Sequence, residues 1–122
     1  MQILMLLNLL VTAVSSTSIV ATLAGTDASG ATDGSAAAST FGIQSDVVRT
    51  SDGSILYIAD TGNNKIRALN LVASTVSTIA GSGQSGYADG FGTNANFSNA
   101  LRNLALTSDD GTLFVADGLF VR

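Results

Sequence analysis

The stretch from Val76 to Asp117, VSTIAGSGQSGYADGFGTNANFSNALRNLALTSDDGTLFVAD, decides the fold because the chain contains it twice. The earlier copy starts at Ile19 and reads IVATLAGTDASGATDGSAAASTFGIQSDVVRTSDGSILYIAD. The landmarks of the two copies recur 56 to 58 positions apart: Gly25 with Gly81, Asp33-Gly34 with Asp89-Gly90, Phe41 with Phe97, Asp52-Gly53 with Asp110-Gly111, and Ala59-Asp60 with Ala116-Asp117. This repeat predicts structural units that bury their apolar faces against one another.

Composition places the chain among folded, β-rich proteins. Its 122 residues suffice for one domain, and 46% hydrophobic against 11% charged residues argues against disorder. All nine acidic residues are Asp, which is favoured in turns. The net charge is -4 and the five basic residues are scattered, so a nucleic-acid partner is not expected. The absence of Cys and His excludes disulfides, thiolate chemistry, His-based acid–base catalysis and the usual zinc ligand sets.

The N-terminal segment, residues 1–16, is predicted to be a signal peptide. Ile3 to Val14 is an apolar run of the length of a signal-peptide core, and it is too short to cross a bilayer as a helix. Val11 and Ala13 stand where a cleavage site needs small residues, although no Lys or Arg precedes the run. The alternatives are a buried strand or helix of the domain and the frayed start of a truncated reading frame. The chain is therefore expected to be secreted or extracellular, or the extracytoplasmic part of a membrane-anchored protein, with membrane contact only through this segment.

The repeat region, residues 17–122, predicts short strands separated by turns. A continuous apolar run such as Ile55 to Ala59 predicts a strand that is buried on both faces. Lys65 to Leu71 alternates, which predicts an outer strand with Ile66 and Ala68 on one face and Lys65 and Arg67 on a face exposed to water. Further strands are predicted at Ser18 to Ala24, Ile43 to Arg49 and Val76 to Ala80.

Four strands joined by tight turns, followed by a long connection, form the pattern of a β-propeller blade. The predicted fold class is all-β, a partial propeller with its blade boundary near residues 81–100. A parallel β-solenoid is the alternative, although its coils usually repeat at about half this period.

The landmarks resemble the NHL repeat. The resemblance rests on Ala80-Gly81, Gly86 to Gly90, Phe97 and Leu113 to Asp117, and on the segment Tyr57 to Arg67, YIADTGNNKIR. It implies a propeller of usually six blades, in which NHL modules bind proteins, RNA or small molecules; relatives include an amidating lyase, and related propellers include lactonases. The first copy departs from the pattern at Ala31, where the second has Tyr87, and Gly118-Leu119 replaces Thr61 to Asn64 in the second.

Several repeated residues are expected to have structural roles. Asp60 and Arg67, with Asp117 and Arg122 in the second copy, are expected to pair across hairpins, with ligand contact as the alternative. Phe41 and Phe97 are expected to fill the space between blades, and Tyr87 combines an apolar ring with a polar group that a ligand could use.

Two further site types follow from short motifs. Asn96-Phe97-Ser98 is a glycosylation sequon for a secreted eukaryotic chain. The Asp-rich turns suggest Ca²⁺ as a secondary hypothesis, but their spacing fits neither an EF-hand nor a nonapeptide repeat, so turn chemistry is favoured and no cofactor is expected. The Asp residues concerned are Asp27, Asp33, Asp89, Asp109 and Asp110.

The predicted function is a non-enzymatic binding or interaction module of a secreted or surface NHL propeller, with an unknown protein or small-molecule ligand. About one and a half blades are visible in the sequence, so the chain is expected to be a fragment or to complete a ring by self-association. The alternatives are a truncated gene product without independent activity and the remnant of a lyase- or lactonase-type propeller enzyme.

Overall fold

The structure is a computed structural model that describes residues 18–122. The predicted signal peptide, residues 1–16, lies outside the described residues, so its cleavage and its alternative as a buried element stay predictions. No helix among residues 18–122 is long and apolar enough to cross a membrane.

The described residues form two antiparallel sheets. The strands of the first sheet are β1 (Gly34–Ser35), β2 (Gln44–Arg49), β3 (Ile55–Asp60), β4 (Lys65–Asn70) and β5 (Thr75–Ala80). Those of the second are β6 (Leu101–Leu106), β7 (Leu113–Asp117) and β8 (Phe120–Val121). Short 3-10 helices cover Ala36–Ala38, Thr61–Asn63 and Gly92–Asn94.

The first sheet is a complete blade. Its strands β2 to β5 pair in sequence order as a meander, and the two-residue strand β1 adds to the outer edge of β5. The second sheet repeats only the beginning of this order, β6-β7-β8. Every ladder between these strands is antiparallel, so the parallel solenoid alternative is wrong and the fold is all-β.

The two sheets pack face to face, and the contacts between them are concentrated at their first strands, β2 and β6. The sheets therefore converge at β2 and β6, which is how successive blades are arranged around the axis of a propeller. We refer to β2 and β6 as the inner strands. The connection between the blades runs from the end of β5 at Ala80 to the start of β6 at Leu101.

Strand β3 contributes to the core on both faces, as its continuous apolar sequence predicts. Tyr57 and Ala59 contact the cluster between the two sheets, which also contains the residues Ile66, Phe97, Leu101, Leu104 and Val115. Leu56 and Ile58 point to the opposite side and belong to a second cluster with Ala36, Leu69 and Val76. The blade is thus apolar on both sides, as a unit with neighbours on both sides requires.

Three sequence-based predictions are wrong in detail. Ser18 to Ala24 is not a strand, because none of the described strands pairs with it. Strand β4 is not an outer strand with a face exposed to water: it pairs with both β3 and β5, and Arg67 is 0% exposed, since the loop before β2 folds over this side of the blade. Between Gly25 and Thr40, where no strand was predicted, the chain forms β1 and a 3-10 helix.

The two hairpin turns also correct the alignment of the repeats. Asp52 and Asp109 each accept a hydrogen bond from the hydroxyl of the Thr two positions earlier, at 2.7 and 2.6 Å. Gly53 and Asp110 follow at equivalent places, both with positive φ, 76° and 59°. Asp52-Gly53 therefore matches Asp109-Asp110, one position earlier than the sequence alignment placed it.

Candidate functional site

Arg67, on strand β4, organises a first polar cluster. Its guanidinium donates all five of its N–H groups: to Asp33 from Nε and Nη2, to Asp60 and the Thr40 carbonyl from Nη1, and to the Thr32 carbonyl from Nη2. The ion pairs to Asp33 and Asp60 are both 2.8 Å long. A buried guanidinium that is saturated in this way holds the loop before β2 against the blade.

The carboxylates of this cluster are equally occupied. Asp60 is completely buried and also accepts hydrogen bonds from the Gly42 amide and the Asn63 side chain. Asp33 accepts further bonds from the amide and hydroxyl of Thr78. Burial alone raises the pKa of Asp33, but the hydrogen bonds from Arg67 and Thr78 outweigh it and hold the pKa below its ordinary value.

The second copy repeats the same arrangement around Arg122. Its guanidinium contacts Asp89 at 2.6 Å and Asp117 at 3.3 Å, and it donates to the Asn96 carbonyl. Asp117 is completely buried and also accepts from the amide and hydroxyl of Ser98. The predicted pairs, Asp60 with Arg67 and Asp117 with Arg122, thus lie in equivalent ion-paired clusters that bind the blades' own loops.

Each arginine lies over the repeated phenylalanine of its copy, which is a cation–π arrangement. The guanidinium carbon is 4.9 Å from the Phe41 ring centre for Arg67 and 5.5 Å from the Phe97 ring centre for Arg122. Phe97 is buried in the cluster between the sheets, whereas Phe41 is half-buried on the open side of the first blade. Equivalent residues therefore have different surroundings, because within residues 18–122 only Phe97 lies between two blades.

Tyr87 and Asn96 lie on the connection between the blades. The Tyr87 ring is exposed and packs 5.0 Å from the ring of Phe120. Asn96 is half-buried, and its amide oxygen accepts a hydrogen bond from the Ser82 hydroxyl. The sequon's Ser98 is buried with its hydroxyl on Asp117, so glycosylation of Asn96 stays a prediction.

The Asp-rich turns bind backbone and hydroxyl groups of their own loops. The Ser54 amide, with the Thr50 and Ser54 hydroxyls, lowers the pKa of Asp52. The Thr107 hydroxyl and the Gly111 amide lower the pKa of Asp109 in the same way. Among residues 18–122, no three His, Cys, Asp or Glu side chains lie close enough to hold a metal ion.

A group of polar side chains without partners among the described residues lies where the inner strands meet. A groove of about 390 Å³ runs between the start of β2 and the start of β6, with the lining residues Ser45, Thr61, Asn99, Ala100, Leu101, Arg102 and Asn103. The Thr61 hydroxyl donates a hydrogen bond to the Leu101 carbonyl at 3.1 Å, and this bond holds one wall of the groove in place. Arg102 and Asn103 are exposed, and the described residues give neither side chain a hydrogen bond or an ion pair. We call this the inter-blade groove.

This groove was not predicted from the sequence. A signal was nevertheless present, because Arg102 and Asn103 interrupt the apolar pattern between Leu101 and Leu104, which are both buried. Polar residues at such a place indicate a side of the strand that faces neither blade.

The fold and the groove define the class: a β-propeller segment built from antiparallel blades around a polar inner edge. A solved structure with the same fold is that of an auxiliary nutrient binding protein from Bacteroides thetaiotaomicron, with a TM-score of 0.66. The likeness covers 78% of this chain and 25% of that one, at 24% identity, so it establishes the fold alone.

Among curated proteins, the chain is similar to protein SUPPRESSOR OF QUENCHING 1, chloroplastic, of Arabidopsis thaliana. The two are 42% identical over 71 residues, which is 58% of this chain and 6% of that protein's length. No protein-family model matches the chain. The chain therefore corresponds to a small part of each of these longer proteins.

Proposed function

We propose that this chain is part of a non-enzymatic binding module, an NHL-type propeller, and that its ligand binds in the inter-blade groove. The observation that carries the proposal is the group of uncommitted donors and acceptors on Arg102, Asn103 and Asn99 beside a preformed wall. Ligand sites of this kind use a few placed polar groups on a rigid scaffold.

The charged residues elsewhere support a division of labour between scaffold and groove. Arg67 and Asp60 are buried, Asp33 is partly exposed, and all three are held by contacts within the blade, so they serve its architecture. Arg102 is an exposed guanidinium, which suits a ligand that carries a carboxylate or another acidic group. The similar Bacteroides structure is that of a nutrient binding protein, which is consistent with a binding module.

Binding to acidic peptide probes tests the proposal. We expect a labelled oligo-aspartate peptide to bind the full chain saturably, as measured by fluorescence anisotropy, and an oligo-lysine peptide of equal length not to bind. Arg102→Ala should weaken binding at least about tenfold, since it removes a charge-assisted hydrogen bond.

The matched control is Arg49→Ala, which removes the same side chain from the inner strand β2 outside the groove. It should leave binding of the oligo-aspartate probe unchanged. Equal losses for the two variants would show that binding follows net charge, and no saturable binding would show that the groove does not take acidic ligands. Either result contradicts the proposal.

Secretion is proposed only from the sequence of residues 1–16. Expression in a secreting host, followed by N-terminal sequencing of the exported chain, tests it. A chain that stays in the cell with Met1 intact would contradict it.

A further inference from the structure

The complete blade leaves one of its apolar sides open. This side, which we call the head face, consists of Val47, Leu56, Ile58, Leu69 and the ring of Phe41. It lines a cavity of about 550 Å³, which Thr22, Leu23 and Ala24 of the same chain also line. Val47, at its centre on the inner strand, is 52% exposed. An apolar side of this kind on a blade is a surface that a neighbour would normally cover.

The second sheet also leaves one side open, at the opposite end of the described chain. This tail face consists of Ala105, Phe114, Ala116 and Val121, which are cross-strand neighbours on β6, β7 and β8. Phe114 is 47% exposed and Val121 is 78% exposed. Large apolar side chains are thus presented on both outer sides of the pair of sheets.

The interface inside the chain shows what these two faces fit. There, Val48, Tyr57, Ala59 and Ile66 of the complete blade pack against Leu101, Leu104, Leu113 and Val115 of the second sheet. In the repeat, the first set corresponds to the tail face, with Tyr57 matching Phe114 and Ala59 matching Ala116. Three members of the second set have counterparts on the head face: Leu104 matches Val47, Leu113 matches Leu56 and Val115 matches Ile58. Leu101 is matched by the polar Gln44. The two open faces are therefore the two halves of an interface that the chain already forms once.

We propose that the head face binds the tail face of a second copy of this chain. The contact reproduces the packing of the complete blade on the second sheet, with one copy supplying Phe114 and the next supplying Val47. Because the two surfaces differ, the association is heterologous, and it closes into a ring if the rotation between copies matches that of a propeller.

The segment Ser18 to Ala24 supports this occupant. It corresponds in the repeat to Ser74 to Ala80, which includes strand β5. Its residues 18–23 are exposed, with Val20 at 99%, and Ala24 is half-buried against the head face. Its loop contacts match as well, since Gly25 donates to the Ala36 carbonyl as Gly81 donates to that of Gly92. In the complete blade, β5 pairs with β4, and the strand of the second sheet that corresponds to β4 is β8. The segment Ser18 to Ala24 of one copy would therefore pair with β8 of the other copy and complete its second sheet as the outer strand.

Only some of the polar contacts between the complete blade and the second sheet would also form between two copies. Within the chain, Asp46 accepts a hydrogen bond from the Leu104 amide at 2.7 Å. Asn103 corresponds to Asp46 on the second sheet, and its amide oxygen could accept the equivalent hydrogen bond between copies. Asp110 accepts from the Ser51 amide and hydroxyl, at 2.9 and 2.6 Å. On the complete blade, the residue that corresponds to Asp110 is Gly53, which has no side chain. The hydrogen bonds that Asp110 accepts from Ser51 therefore have no equivalent between copies. The contact between copies is therefore weaker than the one inside the chain.

Charge substitutions on the two faces test the proposal by light scattering of the full chain. The wild-type chain should associate in a concentration-dependent way, and Val47→Asp or Phe114→Asp should each give a monomer with an unchanged far-ultraviolet spectrum. A mixture of these two variants should form dimers, because one retains its tail and the other its head. Val72→Asp, at an exposed apolar residue in the turn after β4, is the matched control and should behave as wild type.

A gain-of-function variant sharpens the test. Gly53→Asp places a carboxylate at the position that corresponds to Asp110. Gly53 has a positive φ of 76°, a region that Asp110 itself occupies at 59°, and an added Cβ meets only the Arg49 guanidinium, at 3.7 Å. It should lower the concentration of half-association by about tenfold, the effect of one added charge-assisted hydrogen bond. If the wild-type chain does not associate, Gly53→Asp should leave the chain monomeric.

Three results would overturn the proposal. A wild-type chain that stays monomeric at all concentrations would mean that these faces are covered by other blades of a longer polypeptide. Association that Val47→Asp and Phe114→Asp leave intact would place the contact elsewhere. A mixture of the two variants that stays monomeric would show that the contact is not head to tail.

Discussion

Arg67 is a buried guanidinium whose five donors all have acceptors within the blade. Taking such a charge out of water is costly, and the geometry offsets that cost only while every partner is present. The arginine therefore contributes less to net stability than its contacts suggest, but its removal leaves the buried carboxylate of Asp60 without a counter-ion, with only the hydrogen bonds from Gly42 and Asn63.

We expect Arg67→Ala to lower the free energy of unfolding by about 3–5 kcal/mol, the usual effect of breaking a buried ion pair. Urea denaturation followed by circular dichroism measures it. Arg67→Lys should recover only part of the lost stability, because a lysine ammonium cannot reproduce the five hydrogen bonds of the planar guanidinium. The exposed Arg102→Ala is the control and should change stability by less than about 0.5 kcal/mol. Similar effects at both arginines would contradict this account of the cluster.

Asp33 makes stability depend on pH in the acid range. Its pKa is lower in the folded chain than the ordinary value of 3.8, so the folded state binds the proton less readily than the unfolded state. The stability that Asp33 contributes is therefore fully present above 3.8 and is lost as the pH falls through its folded pKa.

We expect the melting temperature to stay level between about pH 5 and 7 and to fall below about pH 4. Asp33→Asn should make this acid decline shallower, because the amide has no charge to lose. Thermal melts of the two proteins across this range decide the matter. Identical acid declines would show that Asp33 is not a source of the pH dependence.

At the scale of single elements, Gly81 ends strand β5 in a conformation that side chains rarely adopt, with φ 95°. A Cβ added there would clash with the carbonyl oxygen of Asn64 and would lie 3.0 Å from the Phe97 ring. The glycine thus allows the connection between the blades to pass close to the β3–β4 hairpin.

Gly81→Ala should therefore be more destabilising than the same change at Gly34. Gly34 also has a positive φ, 126°, but an added Cβ there meets nothing within 4 Å. Backbone strain costs about 1–3 kcal/mol at either position, and the clash adds to it only at Gly81. Chemical denaturation of the two variants compares them. Equal losses would mean that the close approach at Gly81 does not exist.

The strand pattern was largely predictable from the sequence, since β2 to β5 lie within a residue of the predicted runs. Alternation and β-branched residues specify such strands locally, and Gly or Asp marks their turns. Arg67 was misplaced because period-2 alternation shows which residues share a face and cannot show that a distant loop covers it. Ser18 to Ala24 has the sequence of a strand but no described partner, and a strand exists only in a ladder.

At the scale of the whole molecule, the repeat predicted two units but not their environments. Phe41 and Phe97 are equivalent in sequence, yet only Phe97 is buried between two sheets. The inter-blade groove likewise arises where two units meet, so its residues are far apart in any local pattern. Its polar members, Ser45 and Arg102, become neighbours only through the packing of β2 on β6.

The two repeats pack on one another in a fixed register, and a designed disulfide tests this central claim most directly. Ser51 and Asp110 lie on different sheets with their side-chain oxygens 2.6 Å apart, and the chain contains no Cys that would compete. In the double variant Ser51→Cys and Asp110→Cys, we expect mild oxidation to close an intrachain disulfide rapidly in the native protein and far more slowly in denaturant. Mass spectrometry with and without reductant distinguishes the intrachain product. Failure to close under native conditions, or closure at the same rate in denaturant, would contradict the packing described here.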